Sequence, residues 1–190
     1  DVISMGCTFD RLVSDGHVVH VAYQTSGNIA VSDEEALKYI EVMIDVESDS
    51  NSYEELRLEI LNKNKNQIDS IPLRNLKRAI RKRESLAATR YLGIPDCQVH
   101  FLNLPFYETG KVQKNNPSKK DFLITNDLIS LIKPHQIYAA GDLADPHGTH
   151  RICLNILFES LSQLKKEAYM KDCWVWLYRG AWQEIDVHEL

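Results

Sequence analysis

Along this chain the spacing of apolar residues alternates between helical periodicity and short continuous or β-branched runs. Val2, Met5, Phe9 and Leu12 recur at helical spacing, and Asp15-Gly16 closes that pattern with a glycine exit. Residues 17–23, H-V-V-H-V-A-Y, predict a short strand. Ser32 followed by Asp33, Glu34 and Glu35 predicts a capped helix start, with residues 36–46 as its apolar body. Residues 47–69 are polar, with Asn and Lys interleaved, and predict a surface insertion containing a short helix. Residues 73–93 predict a long amphipathic helix whose apolar side carries Leu76, Ile80, Leu86, Ala87, Tyr91 and Leu92, ended by Gly93 ahead of Pro95. Residues 97–104 predict a strand, 110–120 a polar loop, and 121–132 a helix stopped by Lys133-Pro134. A strand at 136–140, a helix at 152–164 and a strand at 174–178, W-V-W-L-Y, complete the series.

Strands that alternate with helices predict an α/β fold, three-layer and Rossmann-like, with a mostly parallel sheet flanked by helices. A parallel sheet joined by crossover helices wants a strand before its first helix, so an apolar strand is expected upstream of Asp1. The absence of a closing element after the last strand likewise predicts truncation beyond Leu190. Within these limits residues 1–190 read as a single domain. With 44% hydrophobic residues the chain can bury a core, and its net charge of −5 argues against a nucleic-acid binder. No apolar run approaches a membrane span. Cys7, Cys97, Cys153 and Cys173 are scattered, without C-x-x-C spacing, and read as buried thiols of a cytoplasmic protein.

Candidate chemistry concentrates in residues 140–151, A-G-D-L-A-D-P-H-G-T-H-R, between a predicted strand and a predicted helix. Such a loop lies at the carboxyl edge of a sheet, where α/β folds bind ligands. Asp142 and Asp145 accompany His147 and His150, whose spacing of three puts them on one helical face. Two such imidazoles can share a metal, or one can hold it while the other moves a proton; a surface pair at a helix start would look the same. Gln24 to Asn28 forms a second polar loop at a strand exit, either a site rim with Asn28 facing a ligand or an ordinary turn. The basic run from Arg74 to Arg83 reads as a solvated face, or as guanidinium groups aimed at an anionic or hydroxyl-rich substrate. Trp174, Trp176 and Trp182 read as core and lid packing, with sugar stacking as the alternative.

Four features together resemble the LmbE/PIG-L-like de-N-acetylases, zinc hydrolases that remove acetyl groups from N-acetylglucosamine-containing substrates. They are D-V-I-S-M-G-C-T-F at 1–9, R-K-R-E-S-L-A-A-T-R-Y-L-G at 81–93, P-H-G-T-H at 146–150, and the strand order. The resemblance spans nearly the whole chain. Y-Q-T-S-G-N-I-A-V, Y-A-A-G-D-L-A-D-P-H-G-T-H-R and W-V-W-L-Y-R-G-A-W resemble further a bacterial subgroup in which such a domain follows a glucosamine-6-phosphate deaminase-like domain. The resemblance implies that His150 is a metal ligand, completing a set begun by a His-Pro-Asp-Asp motif. It implies that His147 stabilises the tetrahedral intermediate or protonates the leaving amine, and that Asp1 matches the acidic residue following His-Pro-Asp-Asp. It also implies that Arg81, with Glu84 beside it, contacts substrate, and Arg179 at the last strand's exit is a further candidate.

Two departures bear on the chemistry. The His-Pro-Asp-Asp motif belongs immediately before Asp1, so the chain as given is expected to bind zinc weakly and not to hydrolyse amides. Gly148-Thr149 replaces the Pro-Asp of many relatives, so a supporting carboxylate must come from elsewhere, with Asp145 the candidate. The function implied is a zinc-dependent N-deacetylase acting on an N-acetylated amino sugar or its phosphate. The rivals are part of a glucosamine-6-phosphate deaminase or isomerase, and a non-catalytic sugar-binding module. The expected partner is a small amino sugar, with no nucleic acid and no membrane; self-association is left open.

Overall fold

A computed structural model of the chain describes residues 2–47, 51–141 and 145–180. Helix α1 (Val2–Ser14) ends at Gly16, whose φ of 82° lets the chain reverse. Its Phe9, Leu12 and Val13 pack on a core of Val19, Val21, Leu86, Ile94 and Val99. Strand β1 (Val21–Tyr23) lies within that core, parallel to β2 (Val99–Phe101), with Val21 opposite Val99. Both strands are shorter than the apolar runs predict. His17 and Val18 stay on the surface, and Asp96–Gln98 forms a 3-10 turn ahead of β2. Asn103, at φ 46°, bends the chain beyond β2, although amides of Leu102 and Leu104 still donate to carbonyls of Tyr23 and Gln24 at 2.9 Å.

Helix α2 (Asp33–Val46) begins where Ser32 Oγ accepts the Glu35 amide at 3.0 Å. It packs with α3 (Asn51–Leu61) and α4 (Ile71–Tyr91) around Val31, Ala36, Ile40, Leu73 and Ile80. Helix α4 departs from its expected apolar side: Tyr91 is 91% exposed and Ala87 is exposed, while Lys77 and Thr89 are buried. Thr89 can be buried because its hydroxyl returns to the carbonyl of Ser85 at 3.0 Å. Lys77 is buried because Asp33 and Asp69 accept from its ammonium at 2.6 and 2.8 Å.

Helix α5 (Lys119–Ile132) starts on Asp121, which accepts the Ser118 amide at 2.7 Å and the Phe106 amide at 2.9 Å. Strand β3 (Gln136–Ala140) pairs parallel with β4 (Trp174–Tyr178), and α6 (Thr149–Leu164) crosses between them. Among the described residues the α/β class therefore holds, and the strands form two parallel pairs, β1–β2 and β3–β4. No described helix is long and apolar enough to cross a membrane.

Two expectations are corrected. Cys7 and Cys97 are exposed thiols, because Cys7 lies off the Met5–Phe9–Leu12 stripe and Cys97 occupies the surface turn before β2; Cys153 and Cys173 are partly covered. Trp174 and Trp176 are 67% and 53% exposed, so they are not core. Trp182 lies outside the described residues.

Candidate functional site

Parallel pairing sends all the strand exits of one pair to the same edge. Beyond β3 the Gly141 amide donates to Tyr178 O at 2.8 Å, which keeps the two exits side by side. Asp145 to His150 and Arg179 therefore share one carboxyl edge, as the sequence predicted for such loops. Asp145 organises this turn. Its side chain is 1% exposed; Oδ1 accepts the His147 amide at 3.0 Å and Oδ2 the His150 amide at 2.8 Å. Gly148 precedes α6 at φ 69°, a conformation in which a larger residue would be strained, and it supplies no capping side chain. Asp145 takes over that role by accepting from the second residue of α6.

Burial pushes the Asp145 carboxyl up, but the His150 and His147 amides and the nearness of both imidazoles outweigh it, and the net shift is downward. The carboxylate thus stays ionised behind the two histidines. His147 is exposed and His150 half-buried. Behind them the thiol of Cys153 is pushed up to about 12 by burial and then by the charges of Asp145 and Asp121, which keeps it protonated and inert.

The exits of β1 and β2 form a second group. Gln24 Nε2 donates to Cys153 O at 3.1 Å, and Leu104, Phe106 and Tyr107 pack with Ile156 of α6, so α6 ties this edge to the histidine turn. Asn28 is 1% exposed and donates through Nδ2 to Glu108 Oε2 at 3.3 Å. Arg78 donates to the same oxygen at 2.7 Å. Glu108 carries no local sequence signal; it lies 30 residues beyond Arg78 and becomes its partner only through the fold. Asn28 Oδ1, Arg78 Nε and Glu108 Oε1 are buried without a protein partner. Arg81 lies across Gly27, where a Cβ would come within 3.3 Å of its Cγ, and it donates to Glu84 at 2.6 Å. Arg81, Arg78 and Lys82 line a cavity of about 210 Å³ with Tyr23, Ser26, Ser85 and Phe101.

A tetrahedral zinc site draws on about three protein donors. Among the described residues no group of three or more His, Cys, Asp or Glu is placed to hold a metal. Asp145 has both oxygens turned to backbone amides, and Asp1 lies outside the described residues. The described residues alone therefore do not fit a complete zinc site.

Comparison with known proteins bears on what this edge is for. No solved structure matches the chain. A protein of Bacteroides thetaiotaomicron named glucosamine-6-phosphate deaminase-like is 46% identical over 201 residues, covering 100% of this chain and 30% of that relative. The chain thus spans under a third of the relative's length. The model of the GlcNAc-PI de-N-acetylase family, PIG-L, matches residues 1–161, which include the histidine turn and the Arg81 helix. The chain belongs to the PIG-L de-N-acetylase family.

Proposed function

We propose that this domain takes part in removing the acetyl group from an N-acetylated amino sugar or its phosphate. The observation that carries the reading is the turn at 145–150, where one buried carboxylate accepts the backbone amides of two histidines three residues apart, beyond a strand's carboxyl end. In this reading the two strand pairs belong to one three-layer, Rossmann-like sheet, and the protein works in the cytoplasm. A zinc ion, when bound through His150 together with donors outside the described residues, would supply the Lewis acidity and the acidified water that amide hydrolysis uses.

The chain's own residues do the rest. His147 is exposed toward solvent, where a substrate can reach it, and Asp145 holds its backbone amide. A protonated His147 can then pass its proton to the departing amine, or donate a hydrogen bond to the oxygen that gathers charge. Arg81, at the exits of β1 and β2, and Arg179, just after β4, contact the substrate. Asp1, which the resemblance matches to the acidic residue after the His-Pro-Asp-Asp motif, lies outside the described residues.

The relative's name favours a second reading, an amino-sugar phosphate deaminase. The two reactions release different products. We expect the complete gene product to release acetate from N-acetylglucosamine or its 6-phosphate, and this domain's residues to be needed for it. Release of ammonia from glucosamine 6-phosphate that survives deletion of this domain, with no acetate from either N-acetyl sugar, would overturn the deacetylase reading.

A further inference from the structure

Helix α4 presents Arg78, Arg81, Lys82 and Ser85 at spacings of three, four and seven, which align on one helical face. That face looks onto the exits of β1 and β2. Together with Thr25, Ser26 and Gly27 from one exit and Asn103 from the other, it encloses the cavity of about 210 Å³. One wall is aromatic: Tyr23 and Phe101 stack with ring centroids 5.3 Å apart. Lys82 Nζ sits 5.2 Å from the Phe101 centroid.

The charge is uneven. Arg78 is paired with Glu108 at 2.7 Å and Arg81 with Glu84 at 2.6 Å. Among the described residues Lys82 has no carboxylate partner, so the cavity keeps a positive surplus. A guanidinium has donors in a planar fork and can hold one carboxylate while offering remaining N–H groups to another anion. Arg78 Nε, buried and unpaired, shows that this donor capacity is not exhausted. Three cationic side chains, hydroxyls at Ser26 and Ser85, and an apolar ring wall match a small ligand with an anionic end and a partly apolar ring face.

We propose that this cavity is the phosphate subsite of the substrate, so that the sugar is taken as its phosphate monoester. The proposal rests on the amino-sugar reading above and selects within it. Phosphate oxygens face Arg78, Arg81 and Lys82, and the sugar ring lies toward the Tyr23–Phe101 wall. Lys82 is the discriminating residue, because it is exposed and its removal strands no buried carboxylate.

The test is calorimetric titration of the complete gene product with N-acetylglucosamine, N-acetylglucosamine 6-phosphate and inorganic phosphate, for the wild type and Lys82→Gln. Lys120→Gln, an exposed change on α5, serves as the charge control. We expect N-acetylglucosamine 6-phosphate to bind at least tenfold tighter than N-acetylglucosamine, and inorganic phosphate to compete with it. Lys82→Gln should erase most of that advantage while leaving N-acetylglucosamine affinity and the melting temperature unchanged; Lys120→Gln should preserve the advantage. Equal affinity for the two sugars, or an advantage that survives Lys82→Gln, overturns the proposal, as does free phosphate binding alike to both proteins. The deacetylase reading fails separately: acetate release absent while the 6-phosphate preference persists sinks that reading and leaves the subsite standing.

Discussion

Asp145 caps α6 with a charge, since its two carboxylate oxygens accept the amides of His147 and His150. Asp145→Ala should remove the cap of α6 and cost about 1 kcal/mol of stability at neutral pH, measured by urea denaturation. Its folded carboxyl titrates below the ordinary 3.8, so the stabilisation is present above that value and is lost as the pH falls through the depressed one. The gap between wild type and Asp145→Ala should therefore shrink below about pH 4; a gap constant down to pH 2 would contradict a charged cap. Glu108 was not legible, because nothing in its local sequence marks a carboxylate whose partners, Asn28 and Arg78, lie 80 and 30 residues away. The cysteines were misread for a related reason, since scattered thiols in apolar segments do not reveal which way each one faces. At pH 7 a thiol reagent should label Cys7 and Cys97 first, and Cys153 last, since burial drives its thiol to about 12. Early labelling of Cys153 in the folded protein would show that the α6 packing is looser than described.

Helix α4 shows where periodicity succeeds and where charge defeats it. Its existence, its approximate span and its glycine exit follow from the 3.6-residue pattern, and Ile80 and Leu86 are buried as that pattern requires. Its basic run looked like a solvated face. Lys77 instead points inward, because Asp33 at the start of α2 and Asp69 before α4 converge on its ammonium, with Lys63 bonded to the same two aspartates. Such a four-charge cluster needs residues from three separated stretches, and a one-dimensional pattern does not reveal it. Removing Lys77 leaves Asp33 and Asp69 with one cation, of which Asp69 is mostly buried. Lys77→Ala should cost about 3 kcal/mol in chemical denaturation. A loss below about 0.5 kcal/mol would place the cluster with ordinary surface pairs. The short strands were legible in kind and order rather than in length, because His17 and Val18 belong to the same H-V-V-H-V-A-Y run as Val19 and Val21 without sharing their burial.

For the molecule as a whole, the alternation of elements gave the α/β class, and motif resemblance gave the family that the match over residues 1–161 establishes. Among the described residues the strands form two parallel pairs, with α6 packed against the exits of the first and adjoining the second. Gln24 and Phe106, beyond the exits of β1 and β2, touch α6, the helix that follows the histidine turn. The central claim is that His147 acts on the substrate while His150 belongs to the metal. It is tested most directly by measuring turnover and bound zinc in His147→Ala of the complete gene product. The account predicts that kcat falls about a hundredfold or more while zinc content stays near that of the wild type. Loss of zinc in step with activity, or full activity without His147, would contradict it.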